Sequence, residues 1–222
     1  MVKKWAPVVV ACFVAAPSLR AGLVLDDFAQ RAFLKGDPVS RPWWDLYNLV
    51  PGEPVEMQAF IERGPFPWFS VPDVKLHFFR PLSSALLVFD ALVFGDSVWL
   101  AHLHSVLWYL ALVVVAGALY RRLVPSVALL AALLFAIDDA HTMPVMWLAN
   151  RNSMVALVFA WLGLWAHLRW REDGWKPGVV ASVAAYVTAL LAGETAIAGL
   201  GYLVAYELVG RRDAWRTRLL AM

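Results

Sequence analysis

The residues of this chain that could do chemistry stand at the ends of its apolar runs. Asp26 and Asp27 follow the first run directly. Either carboxylate could act as a general base or metal ligand while its neighbour orients it or shifts its pKa; either could equally cap the orphan N–H groups of a helix starting there. Arg80 carries a planar fork that holds a phosphate bidentately or pins a loop to lipid headgroups. His102 and His104, two apart, lie on nearly opposite faces of a helix, so they are not expected to chelate one metal together, and a structural hydrogen bond is the expected use of each. Asp138, Asp139 and His141 form a tighter group whose oxygen and nitrogen donors suit Mg²⁺ or Mn²⁺, although the spacing is not diagnostic of a metal. A divalent ion is the only cofactor these residues suggest. Arg151 stands just before another apolar run, and Glu194 at a junction of two, where it would favour the positive dipole end of the helix that follows.

The elements that must position these groups are helices in a bilayer. Of 222 residues 61% are hydrophobic, and a mean hydropathy of +0.63 is too high for a soluble domain. The formal charge of +2 includes no long basic run, so nucleic acid is not an expected partner and the bilayer is. The only cysteine, Cys12, lies inside the first apolar run, which leaves neither a disulfide framework nor a cysteine-based metal site. Twelve Trp suit a protein with rings at the headgroup level.

A spanning helix needs about 20 mostly apolar residues, or roughly 17 at the least. Six stretches come near this: Trp5 to Leu25, Val98 to Tyr120, Val124 to Ile137, Asn152 to Leu168, Val179 to Ala192 and Thr195 to Val209. Leu82 to Phe94, closed by Gly95-Asp96, is shorter and reads as interfacial or re-entrant. With Lys3 and Lys4 in the cytoplasm, Arg121, Arg122, Arg169, Arg171, Arg211 and Arg212 all fall on that same side. The expected fold is therefore all-α: a polytopic transmembrane bundle of about six spans, with 1–222 as a single transmembrane domain and the N-terminus cytoplasmic. The expected location is the plasma (inner) membrane. Residues 26–80, rich in proline and Trp, form a long first external loop with short interfacial helices. In one of these, Phe28, Ala29, Ala32 and Phe33 share a face for the membrane surface, Gln30 and Arg31 point away, and Lys35 lies at the edge. A cleavable signal peptide competes for the first stretch, since Lys3-Lys4, the short apolar run, Ala15 and Ala16 fit that pattern too. In the six-span arrangement every group named above gathers outside, and ionisable groups gathered at a membrane boundary signal a functional site.

A series of motifs then runs through most of the chain: LDDF (Leu25 to Phe28), FFRPL (Phe78 to Leu82), the FG of Phe94-Gly95, HLHSVLW (His102 to Trp108), FAIDDAHTMPVMWLANRN (Phe135 to Asn152) and GETA (Gly193 to Ala196). The series resembles polytopic glycosyltransferases of the GT-C superfamily, especially the protein O-mannosyltransferase-like enzymes. The resemblance implies transfer of a sugar from a polyprenyl-phosphate carrier to an acceptor, here of unknown identity, on the external face. It maps the catalytic base onto Asp26 or Asp27, with Asp26 favoured as the first acidic residue after the span. It also implies that Arg80, His102, His141, Arg151 and Glu194 line the donor or substrate site, with the arginines on the lipid phosphate. Members of that family are longer, so the chain is expected to be the N-terminal part of such a protein. Two other classes stay open: a transporter, which predicts ionisable residues near mid-membrane and repeated halves, and a non-catalytic scaffold or truncated transferase, in which Asp26 and Asp27 are dispensable.

Overall fold

A computed structural model describes residues 5–37, 39–64 and 66–210; Lys3, Lys4, Arg211 and Arg212, on which part of the expected topology rests, lie outside them. The described chain is all-α apart from one two-stranded ladder. Helix α1 (Ala6–Ala15) has Pro7 in its first turn, where a missing N–H costs nothing, and runs on as a 3₁₀ turn, Ala16–Arg20. Helix α2 (Asp26–Lys35) carries both aspartates in its first turn and Lys35 in its last, and ends on the left-handed Gly36, in agreement with the helix dipole.

The segment between α2 and Arg80 is a folded unit. Strands β1 (Asn48–Pro51) and β2 (Lys75–His77) pair antiparallel, and α3 (Pro54–Glu62) lies between them in sequence. Phe33, Leu46 and Phe60 form a small core of its own. That core turns α2 away from the expected orientation: Asp27, Gln30 and Phe33 are buried, whereas Phe28 is exposed. The helix shows the protein its i, i+3, i+6 face because the loop folds over it; Gln30 does not point outward.

Beyond Arg80 come α4 (Pro81–Phe94), α5 (Val98–Leu123), α6 (Ala128–Ile137), α7 (Thr142–Met146), α8 (Arg151–Asp173), α9 (Gly178–Ala192) and α10 (Ala196–Ala205), with a π-helical turn Tyr206–Gly210. Two groups, α1/α5/α6 and α8/α9/α10, meet along the α5–α8 seam in one apolar core that includes Tyr109, Leu112 and Val113 against Met154, Val155 and Val158. Small residues set the second group. A Cβ on Gly199 would stand 2.6 Å from that of Ala160, and one on Gly178 2.5 Å from the Ala166 carbonyl, so both helices approach α8 at backbone distance.

By length and composition, Val98–Leu123 and Leu148–Asp173 can cross a membrane, and Ala128–Ile137 with Asp139–Met146 makes a third if this pair, bent by 50°, counts as one span. The expected count of about six spans is not reached by helices of spanning length among the described residues; Ala6–Arg20, Pro81–Phe94, Gly178–Ala192 and Ala196–Gly210 are apolar but shorter. Trp5 to Leu25 passes into a 3₁₀ turn at Ala16 and Thr195 to Val209 into a π-helical turn at Tyr206, whereas α6 and α9 keep the expected ends, Ile137 and Ala192, and are short as their stretches are.

Candidate functional site

The site is built around a tight corner. Leu25 has φ 45° and ψ −111°, a region that a side chain bearing Cβ enters only under strain. The corner is held by Asp27: its Oδ2 accepts from the N–H of Val24 (2.9 Å) and of Leu148 (3.4 Å), and its Oδ1 from the N–H of Ala149 (2.7 Å). Asp27 is 2% exposed, and its carboxylate is spent on three backbone donors from two distant segments. Burial pushes its pKa up, with those three hydrogen bonds and His102 opposing. Its role is to join α2 to the turn Leu148–Asn150.

Asp26, one residue earlier, turns the other way. It is partly buried, and no hydrogen bond occupies its carboxylate among the described residues. Burial raises its pKa above the ordinary value, and the charge of Arg80 pulls it partway back. Arg80 is the N-cap of α4, with Pro81 at the first helical position. The start of α4 is fixed by two serines: Ser83 donates to the carbonyl of Ala192 (2.7 Å), and Ser84 accepts from the N–H of Leu46 (3.1 Å). The guanidinium lies over the rings of Phe78 (4.5 Å) and Tyr47 (4.9 Å), and Tyr47 itself is anchored by its hydroxyl to the Ala149 carbonyl (2.6 Å). Nε and Nη2 of Arg80 donate to the two carboxylate oxygens of Glu194 (2.8 and 3.2 Å). Burial raises the pKa of Glu194, but the Arg80 bonds outweigh it and the net shift is downward. Of the five guanidinium N–H groups, two meet Glu194 and the rest remain for a ligand oxygen. Asp26, Arg80 and Glu194 are thus brought together from α2, the start of α4 and the α9–α10 link.

The other expected residues go elsewhere. His102 is fully buried, its Nε2 3.2 Å from the Gly22 carbonyl. Arg151 is 2% exposed and paired within the core: Nη2 donates to Asp90 Oδ2 (2.6 Å), Nε to Ser105 Oγ (2.9 Å), and Nη2 also meets the Ala101 carbonyl (3.3 Å). His104 completes this network. Its Nε2 must accept, because the partner at 2.9 Å is the donor-only indole N–H of Trp108. Nδ1 then carries the proton and donates to Asp90 Oδ1 (2.6 Å). The arginine expected on a lipid phosphate is therefore a core ion pair. Asp138 caps the turn Asp139–His141, accepting from the N–H of Ala140 (3.0 Å), Asp139 is exposed, and His141 packs against Phe135 (ring centroids 4.4 Å) and Tyr109 (5.3 Å). Among the described residues no three His, Cys, Asp or Glu are placed to hold a metal ion, and Asp138, Asp139 and His141 do not converge as ligands.

Two buried clusters were missed from the sequence. Asp90, inside the apolar stretch Leu82 to Phe94, was the available signal for the first, since a lone carboxylate there demands a partner. The second joins Glu207, 0% exposed, to His167 Nε2 (2.7 Å) and to Arg171 Nε and Nη2 (2.7 and 2.9 Å). It lies at the opposite end of the bundle, where Arg122 binds Glu172 (2.7 Å) and Asp173 (2.5 Å) and so clamps the ends of α5 and α8 together. The chain matches no protein-family model, no curated protein and no solved structure.

Proposed function

We propose that the chain is a GT-C-like membrane glycosyltransferase, or the N-terminal part of one, that moves a sugar from a polyprenyl-phosphate donor to an acceptor at the non-cytoplasmic face. The observation that carries this reading is the division of labour in the aspartate pair: Asp27 is consumed by backbone donors, while the Asp26 carboxylate has no hydrogen bond among the described residues and feels the charge of Arg80. Asp26 takes the proton of an acceptor hydroxyl, whose oxygen attacks the anomeric carbon. The bond from that carbon to the phosphate oxygen breaks, and the departing phosphate takes the electron pair and meets the free N–H groups of Arg80. Glu194 holds Arg80 in place.

The accompanying topology has six crossings: Ala6–Arg20, α5, α6 with α7, α8, α9 and Ala196–Gly210. Fifteen-residue helices rise only about 22 Å against a core of about 30 Å; local thinning and flanking polar groups cover such a mismatch at a fraction of a kcal/mol per Å. The clamp of Arg122 on Glu172 and Asp173 supports one common cytoplasmic end, and the Arg80–Glu194 pair a common external one. Between residues 105 and 120 of α5 and residues 152 and 166 of α8 there is no charged side chain, so the α5–α8 seam offers no charged transport path; the ionisable groups Asp138, Asp139 and His141 stand instead at the break within the α6–α7 crossing. The test is turnover of a panel of polyprenyl-phosphate sugars by membranes carrying the chain or its Arg80→Ala variant. Turnover that falls about 10²-fold or more in the variant fits the loss of transition-state charge stabilisation. No turnover of any donor by correctly inserted wild-type protein contradicts the reading.

A further inference from the structure

At the end of the bundle away from Asp26 and Arg80, helices α1, α5 and α6 leave an open groove of about 370 Å³, whose walls include Trp5, Val8, Val114, Gly117, Arg121 and Leu129. Small residues leave it open: Gly117, Ala128 and Ala132 face the gap that larger side chains would close. Every residue that lines it is apolar except Arg121. The two arginines near the end of α5 differ. Arg122 donates to Glu172 and Asp173, whereas the guanidinium of the exposed Arg121 has no hydrogen bond or ion pair among the described residues. It is folded back along the helix: Nη1 stands 3.4 Å from where a Cβ on Gly117 would lie, beside the groove and not out beyond the helix end. On the membrane reading above, α5 rises about 39 Å against a hydrocarbon core of about 30 Å. Arg121 is two residues from its end, so the charge stands at the cytoplasmic rim of the core, next to the level of the lipid phosphates.

We propose that this groove holds one phospholipid of net negative charge from the cytoplasmic leaflet. The fork of Arg121 takes the phosphate, and one acyl chain lies along Val8, Val114 and Leu129, the last two each 42% exposed. Charge and size select this occupant. No carboxylate lines the groove to meet a headgroup ammonium, so a zwitterionic lipid brings its cation to a positive rim and an anionic lipid does not. The volume is about that of one turn of a helix 10 Å across, too little to seat a partner span and enough for a single flexible chain. The site needs the crossings of α1, α5 and α6 proposed above, but not the transfer chemistry.

The probe is native mass spectrometry of the full chain released from bilayers with equal amounts of phosphatidylglycerol, phosphatidylethanolamine and phosphatidylcholine. The expected result is one retained phosphatidylglycerol, weakened about tenfold in Arg121→Ala, as the loss of one charge-assisted bond predicts. Val114→Trp, which fills the groove and keeps the charge, should weaken it too, and Asp26→Asn should leave it unchanged. Competition on the wild-type protein tests the idea even if a variant fails to fold. No retained lipid, equal retention of all three, preference for either zwitterionic lipid, or retention indifferent to Arg121→Ala or to Val114→Trp overturns it. Because lipid retention needs no sugar transfer, a protein that keeps phosphatidylglycerol and turns over no donor fails the transferase reading alone, and one that turns over a donor and keeps no lipid fails this site alone.

Discussion

At the scale of single residues, two adjacent aspartates have opposite fates, and the reason is long-range. Asp27 is taken by backbone N–H groups of Leu148 and Ala149, which no local spacing reveals; the preference for Asp26 could be read from its position, but the freedom of its carboxylate could not. Turnover should need ionised Asp26. Because burial raises its pKa above the ordinary 3.8, the acid limb of the pH–rate profile should rise at a pH above the usual aspartate range, and Arg80→Ala should move that limb higher still. The linked stability runs the other way: the folded pKa exceeds the unfolded one, so the contribution of Asp26 is complete below 3.8 and fades as pH rises through the folded value. Glu194, whose folded pKa is lowered from 4.5, contributes above that value and loses its contribution as pH falls through the folded one. With a side chain 48% exposed, that contribution is at most about 1 kcal/mol. A pH–rate profile of wild type and Arg80→Ala checks the first, and denaturation against pH in Glu194→Gln the second.

At the scale of elements, the corner before α2 and the buried network under α4 carry the strain and the cost. Leu25 holds a left-handed φ of 45°. Leu25→Gly should therefore raise stability by about 1 kcal/mol in a denaturant titration, and an unchanged or lowered midpoint would show that the corner is unstrained. Arg151→Ala leaves Asp90 charged and buried without its cation, for a loss of about 3–5 kcal/mol. An intact Arg151→Ala protein with reduced donor binding would instead return Arg151 to the substrate site. The helical segments and the absence of a span in 26–80 were legible from apolar runs and prolines. The buried face of α2 was not, because Phe60 and Leu46, which draw in Phe33, come from a loop whose fold depends on pairing Asn48 with His77.

At the scale of the whole molecule, the chain's ionic contacts gather at two ends: Arg80–Glu194 and the Asp90–Arg151 network at one, Arg122–Asp173 and Arg171–Glu207 at the other. The basic clusters of one end were legible in the sequence, and so was the shortness of α6 and α9, from Asp138-Asp139 and Gly193-Glu194, whereas the end of α1 at Ala15 was not, since Ala16 and Pro17 read on as apolar residues. With Cys12→Ser removing the only cysteine, single cysteines at Asp73 and Lys176 should react with an impermeant maleimide from opposite sides of the membrane; labelling from one side would rule out the proposed crossings. The most direct test of the central claim compares Asp26→Asn and Asp27→Asn for turnover of polyprenyl-phosphate sugars and for thermal stability. The account predicts that Asp26→Asn keeps the wild-type melting temperature and loses about 10²- to 10⁴-fold in turnover, while Asp27→Asn unfolds more easily by about 1–3 kcal/mol. Undiminished turnover in a folded Asp26→Asn protein would contradict it and leave a scaffold as the better description.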